Sequence, residues 1–365
     1  MIAVDVARAP LTDALALGPA SWDAVCERSG CTSPFMSWAW HRAWADTAPA
    51  LEANASEVLT IHDAGDSLEA MLPIRRCRLR FRRRWVQALT WAIGDVGCPD
   101  ELDVPALPDA DVEALADALD ELPWHVIVLP NLVEGAPNAQ RLAAALVERG
   151  HAVRYQPLWG CPRLALPASW DDYLASLSAN RRQIVRRKER SLYRAHDVTI
   201  VDYDDATISK GWTHLLALHD RRWNGEGAFQ DPRTAGLQRQ FAGEMARQGR
   251  LWLSTLDIDG KPAAAWYGFT SGDTVYFYQG GRDPGWQRES VGLVLMAAMI
   301  RRAIERGYKA FDFLRGDDEY KYAWAPARCT TEELVVFRAG WNGRWLRLLD
   351  AVASFRRPSN GGSAA

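Results

Sequence analysis

Residues 276–307 read YFYQGGRDPGWQRESVGLVLMAAMIRRAIERG, passing from a strand pattern through a glycine-bearing loop into a long, mostly apolar helix pattern. Ser290 stands where an N-cap belongs, and Gly307 where a left-handed residue ends the helix. Backbone N–H groups at a helix N-terminus lack intrahelical partners and lie at the positive end of the helix dipole. A loop that converges there suits an anionic oxygen ligand such as a pyrophosphate. The alternative is that Gly280, Gly281 and Gly285 only turn the chain between strand and helix.

A second segment, Phe311-Asp312-Phe313-Leu314-Arg315-Gly316-Asp317-Asp318-Glu319-Tyr320-Lys321, is a buried strand pattern that runs out into a polar turn. Alternation points Asp312 away from Phe311 and Phe313, so it either enters a polar cleft or pairs with a buried cation. Tyr320 can act as acid to a leaving thiolate, Lys321 as a charge clamp, and Asp317 or Glu319 as a base. The same residues can equally tie down a loop. His214, Leu215, Leu218 and His219 share helical spacing, which suits packing and leaves His219 a secondary candidate for a base.

Elements that position these residues are legible around them. Val58–Ile61 and Leu68–Ile74 flank Asp63-Ala64-Gly65-Asp66 as strand, turn and strand. Leu251–Leu256, a glycine turn over Asp257-Ile258-Asp259-Gly260-Lys261, Ala263–Phe269 and Thr274–Gln279 repeat the pattern as a meander. A helix and a buried strand follow each: 111–121 then 125–129, and 291–306 then 310–314. The expected architecture is α/β (α+β), two tandem domains, each a mixed, largely antiparallel twisted sheet flanked by helices. Their expected bounds are 1–159 and 160–350, with 351–365 a flexible, glycine-rich tail. Leu107-Pro108-Asp109-Ala110-Asp111 makes the first copy's helix start a poor phosphate site.

Composition narrows the classes. The 365 residues are 48% hydrophobic, enough for two full cores, and the net charge of −3 does not suit nucleic acid overall. Charge is uneven, with seven arginines in 75–84 and six basic residues in 181–190. Each cluster can hold phosphates or be a solvated face. The 180–194 stretch reads as an amphipathic helix with Ile184, Val185 and Leu192 on its apolar side. Six cysteines without a CxxC pair fit a reduced, cytoplasmic protein with no metal centre. Acidic residues near the N-terminus argue against a secretory leader, no run is long enough to span a bilayer, and no membrane partner is expected. The 17 tryptophans are read as core and interface residues.

Gln287-Arg288-Glu289-Ser290-Val291-Gly292 resembles the pyrophosphate-binding motif of GNAT acetyltransferases, with Ser290 in place of the first glycine. Ser33-Pro34-Phe35 with Trp40 and Trp44, the basic helix Arg181–Arg190, Leu218-His219 with Arg222-Trp223, and Phe311–Trp324 extend the likeness. In that order they resemble the GNAT acyltransferases associated with bacterial cellulose biosynthesis, related in fold to the FemABX aminoacyl transferases. The resemblance implies tandem GNAT-like domains with the reactive site in the second. It implies an acyl-CoA co-substrate, acetyl-CoA by default, and direct attack by an amine or hydroxyl of a small-molecule or saccharide acceptor. Backbone N–H groups of the strand ending at Gln279 would polarise the acyl carbonyl. Gln287, Arg288, Ser290, Val291, Gly292 and Leu293 would hold the phosphates. Arg182, Arg222, Trp223, Tyr278 and Asp317 would bind the acceptor, with Asp312, Tyr320, Lys321 and His219 as the catalytic candidates. The arginine clusters and Ser290 keep open aminoacyl transfer from charged tRNA, and the fold alone keeps open a non-catalytic scaffold.

Overall fold

A computed structural model describes residues 6–81, 84–316, 318–325 and 327–355. These form two compact units: residues up to Trp159 together with those from Thr330 onward, and Gly160–Cys329.

The first unit opens with β1 (Val6–Pro10), α1 (Leu11–Ala16), α2 (Pro19–Arg28), α3 (Trp38–Thr47) and α4 (Ala50–Asn54). A meander follows: β2 (Ser56–His62), β3 (Leu68–Phe81) and β4 (Arg84–Trp91), each antiparallel to the last. Asp66 takes the left-handed backbone that the β2–β3 turn requires, with φ 65°. A parallel neighbour needs a crossover, and α5 (Val112–Asp120) provides it before β5 (Val126–Leu132) pairs parallel with β4. Helix α6 (Pro137–Glu148) then leads into β6 (Ala152–Ala165), along which the chain leaves the unit.

The second unit repeats this plan. It begins with α7 (Trp170–Ser176), α8 (Ala179–Ala195), β7 (Val198–Tyr203), α9 (Ile208–Trp223) and α10 (Pro232–Arg247). The antiparallel meander β8 (Leu251–Ile258), β9 (Lys261–Ser271) and β10 (Thr274–Arg282) follows. The crossover helix α11 (Val291–Glu305) and β11 (Ala310–Asp312), parallel to β10, complete the repeat, and α12 (Glu319–Tyr322) is a single turn beyond. Helix α11 buries residues on most of its circumference because it packs on β9 and β10 and is covered by α7 and α8. Helix α8 keeps only Val185 and Leu192 fully buried, and Ser178 fixes its start by accepting the Arg181 N–H. An ion pair of Glu189 with Arg301 at 2.8 Å ties it to α11.

The chain then returns to the first unit with β12 (Arg328–Phe337) and α13 (Trp341–Phe355). Strand order is β1-β2-β3-β4-β5-β12 in the first unit, with the Ala152–Trp159 half of β6 next, and β6-β11-β10-β9-β8-β7 in the second. In the first unit the antiparallel neighbour of β5 therefore comes from the far end of the chain, whereas in the second that of β11 is the unit's own opening residues Arg163–Ala165. The expected boundary near 160 coincides with the end of the first segment, but the expected 160–350 domain does not hold together. Residues 332–337 pair with β5, and α13 packs Leu346 with Val86 and Phe337. The expected tail from 351 is also corrected at its start, because α13 continues to Phe355. Residues 356–365 lie outside the described residues.

Candidate active site

In the second unit β10 and β11 pair only at Thr274–Tyr276 with Ala310–Asp312. Beyond Tyr276, β10 runs on to Arg282 against β9 alone, while Phe313 and Gly316 donate their N–H groups to Pro162 and Gly160. The two strands part because each keeps a different neighbour. A register slip between Phe277 and Gln279 adds twist at the point of parting. The outer half of β10 thus turns one edge into an opening, where the Gly280 carbonyl accepts from Arg222 Nη1 at 3.2 Å. Glycines 280 and 281, expected in a turn, lie within this strand. A Cβ on Gly281 would stand 2.4 Å from the His219 nitrogen and the Leu218 carbonyl carbon, so the missing side chain lets α9 lie directly on the strand.

The opening holds a cavity of about 310 Å³, whose apolar wall includes Trp266, Phe277, Met296 and Trp324. Trp266 and Phe277 stack at 5.4 Å between centroids and 29° between planes. The other side is the start of α11, with Gln287, Ser290, Gly292 and Leu293 on the cavity. Ser290 is the N-cap residue, as expected, but its side chain makes no cap bond and its backbone is left-handed at φ 59°. The conformation that a glycine supplies without strain is retained by a residue for which it costs about 1–3 kcal/mol. The Val291 and Gly292 N–H groups have no acceptor among the described residues. A Cβ on Gly292 would meet only Arg282 Cδ, at 3.6 Å, so the fold does not demand glycine there. By contrast α5 is closed at its start by Asp111, whose side chain accepts the Ala114 N–H.

Arg181, Arg222 and Arg282 line the same cavity, and among the described residues no acidic one does. Among the described residues none of the three has a carboxylate within ion-pair distance. Burial holds the Arg181 guanidinium below its ordinary value, as expected of a cation taken from water without an anion, and it lies 4.2 Å over the Trp324 ring. Arg222 spreads over the Tyr320 ring at 5.6 Å and the Trp223 ring at 4.6 Å. Burial raises the Tyr320 phenol above its ordinary value; Arg222 pulls it the other way and is outweighed. The site therefore combines unmatched positive charge, two open helix N–H groups and one protonated hydroxyl.

Six of the residues anticipated from sequence meet at the cavity: Arg222, Gln287, Ser290, Gly292, Leu293 and Tyr320. Others do not line it. Gln279 accepts the Gly280 N–H through its own side chain, Arg288 is exposed, and Val291 is in the core. Arg288 still offers its carbonyl to Lys188 Nζ. Arg182 lies on the outer face of α8, Trp223 beneath Arg222, and Tyr278 against Tyr267. Asp312 is wholly buried at the strand junction, accepting the Leu314 N–H at 2.7 Å, with Arg163 Nε 3.9 Å away. Lys321 donates to the Arg315 carbonyl at 2.6 Å and so ties the turn. His219 packs on Phe229 at 4.7 Å, and burial first, then Arg222, lowers it to about 4, which keeps it neutral. Asp317 lies outside the described residues. Arg181, Arg282, Trp266 and Trp324 were not anticipated. Arg181 sits in a helix flagged for its charge, but only its cavity-facing phase separates it from Arg182.

Residues 179–322 match the acetyltransferase (GNAT) domain family, a span that takes in α8, β10, the start of α11 and Tyr320. The chain has no match among curated proteins. Its fold is similar to that of L-PGS from Bacillus licheniformis, at 11% identity, covering 93% of this chain and 96% of that one, with a TM-score of 0.54. It is likewise similar to FemX, at 11% identity, covering 84% of this chain and 92% of that one, with a TM-score of 0.53. Fold and matched segment together define a chain of the GNAT fold. Within it, the matched segment and the cavity both belong to the second unit.

Proposed function

We propose that the second unit moves an acyl group from an acyl-CoA, with acetyl-CoA the default donor, to an amine or hydroxyl of a small molecule or saccharide. The observation that carries this reading is the cavity itself: among the described residues, three arginines without carboxylates beside two unpartnered N–H groups, a constellation suited to phosphate oxygens. Donor phosphates would rest on the Val291 and Gly292 N–H groups with Arg282 beside them, and the thioester would lie along the edge of β10 that faces the opening. There the Gly280 N–H, held by the Gln279 side chain before the donor binds, would turn to the oxyanion as the acceptor attacks. The acceptor nitrogen or oxygen bonds to the acyl carbon, the carbon–sulfur bond breaks, and sulfur takes the Tyr320 proton. The proton shed by the acceptor restores the phenol, so no covalent enzyme intermediate is required.

Release of free thiol from a panel of acyl-CoAs, with a pool of amine and sugar acceptors, tests the reading. Acceptor-dependent release is expected, and Gly292→Glu should abolish it while leaving the melting temperature intact, because the new carboxylate fills and neutralises the phosphate site. A folded Gly292→Glu protein with full turnover overturns the assignment. A second reading, aminoacyl transfer from charged tRNA, is favoured by the outer face of α8, where Arg182, Arg186, Arg187, Arg190 and Arg194 line one groove. Silence across the acyl-CoA panel together with salt-sensitive tRNA binding would select it.

A further inference from the structure

Helix α13 of the first unit has two faces of opposite kind. Its inner face is fixed: Leu346 is buried with Val86 and Phe337, and buried Asp350 pairs with Arg154 at 2.5 Å. Gly343 also belongs to that face, since a Cβ there would stand 1.7 Å from the Arg338 carbonyl oxygen. Among the described residues the outer face has no partner of that sort. Trp341 is 88% exposed, Leu348 66% and Trp345 49%, and at 100° per residue the three fall within an arc of about 60°. Arg344 and Arg347 are exposed on one flank, and the Arg84 guanidinium of β4 lies 4.5 Å over the Trp345 ring.

We propose that this outer face seats the protein on an anionic lipid bilayer as an interfacial helix. Two tryptophans and a leucine in a narrow stripe, bordered by arginines, match the interface between headgroups and acyl chains, where indoles and long cationic stems are both accommodated. Asp350 is the helix's one acidic residue and is turned inward, so the outer face carries positive charge alone although the whole chain is at −3. That charge complements an anionic leaflet. Among the described residues no helix is long and apolar enough to cross a membrane, so the contact is with one leaflet.

Co-sedimentation of the full chain with phosphatidylcholine vesicles, and with vesicles containing roughly one-third phosphatidylglycerol, tests this. Binding to the anionic vesicles at low salt is expected, at least tenfold tighter than to neutral ones, with a blue shift of tryptophan emission. The pair Trp341→Ser and Trp345→Ser should lose at least tenfold in binding. So should the pair Arg344→Glu and Arg347→Glu, which leaves the aromatic residues and the Arg84 contact in place. No co-sedimentation, equal binding to both vesicle types, or unchanged binding of both variants overturns the proposal. A concentration-dependent dimer seen by sedimentation velocity and abolished by the tryptophan variant also overturns it, assigning the face to protein contact.

Discussion

At the scale of single residues, Tyr320 is the group whose environment and position agree. It lines the cavity, its ring lies beneath Arg222, and burial outweighs that cation to keep the phenol protonated. A raised phenol leaves the folded protein holding its proton above the ordinary 10.0. The phenol therefore stays protonated across the neutral range, and its contribution to stability holds below pH about 10 and is lost as pH climbs through the folded value. Tyr320→Phe should lower kcat about a hundredfold or more, the usual range for a positioned acid, with donor affinity within a few-fold of the parent. The parent should show no loss of kcat between neutrality and pH about 10 attributable to this group. An equal rate in Tyr320→Phe removes the phenol from the chemistry. Tyr320 was legible from its place in a polar turn after a buried strand, as were Asp312 and Lys321. What sequence does not encode is which of three neighbouring polar groups faces the opening. Asp312 and Lys321 instead hold the turn that presents Tyr320.

At the scale of elements, the glycines separate packing from ligand space. Gly281 is where α9 touches β10, and an added methyl would meet backbone atoms at 2.4 Å that cannot rotate away. Gly281→Ala should cost at least about 3 kcal/mol, the upper range for overpacking, and shift Arg222 off the Gly280 carbonyl. Gly292→Ala should instead be neutral or stabilising by up to about 1 kcal/mol, since it replaces a helical glycine beside open space. Urea midpoints of the two variants give the comparison, and equal losses would show that the start of α11 is packed more tightly than its geometry indicates. Helix α11 and its Ser290 start were readable from an apolar pattern bounded by a cap and Gly307. The extent of β10 was not, because Gly280 and Gly281 carry the same letters as a turn. Only the position of α9 shows that they are a contact. The parting of β10 from β11 is similarly a matter of which neighbour each strand keeps, and Gly160 and Pro162 lie far off in sequence.

At the scale of the whole molecule, the internal repeat was legible and the strand exchange was not. Hairpins, crossover helices and buried strands recur in both halves, but pairing across about 200 residues leaves no local pattern in 328–337. The exchange makes the first unit discontinuous, with the second unit's chain inserted between Trp159 and Thr330. Those ends are adjacent, for the Trp159 N–H donates to Thr331 Oγ1 at 3.3 Å. Residues 1–159 alone would lack β12 and α13, leaving β5 without an antiparallel partner and stripping Val335, Phe337 and Leu346 from the core. An exposed strand edge beside a broken core favours aggregation over folding. Residues 1–159 should therefore be insoluble or lack a cooperative urea transition. The same segment joined by a short Gly/Ser linker to 330–355 should regain one, because the linker spans a gap already closed by a hydrogen bond. Circular dichroism through a urea titration decides between them. A cooperative transition in the 1–159 chain would show that β12 is dispensable, and its absence from the joined chain would mean that this unit cannot fold without the inserted residues 160–329.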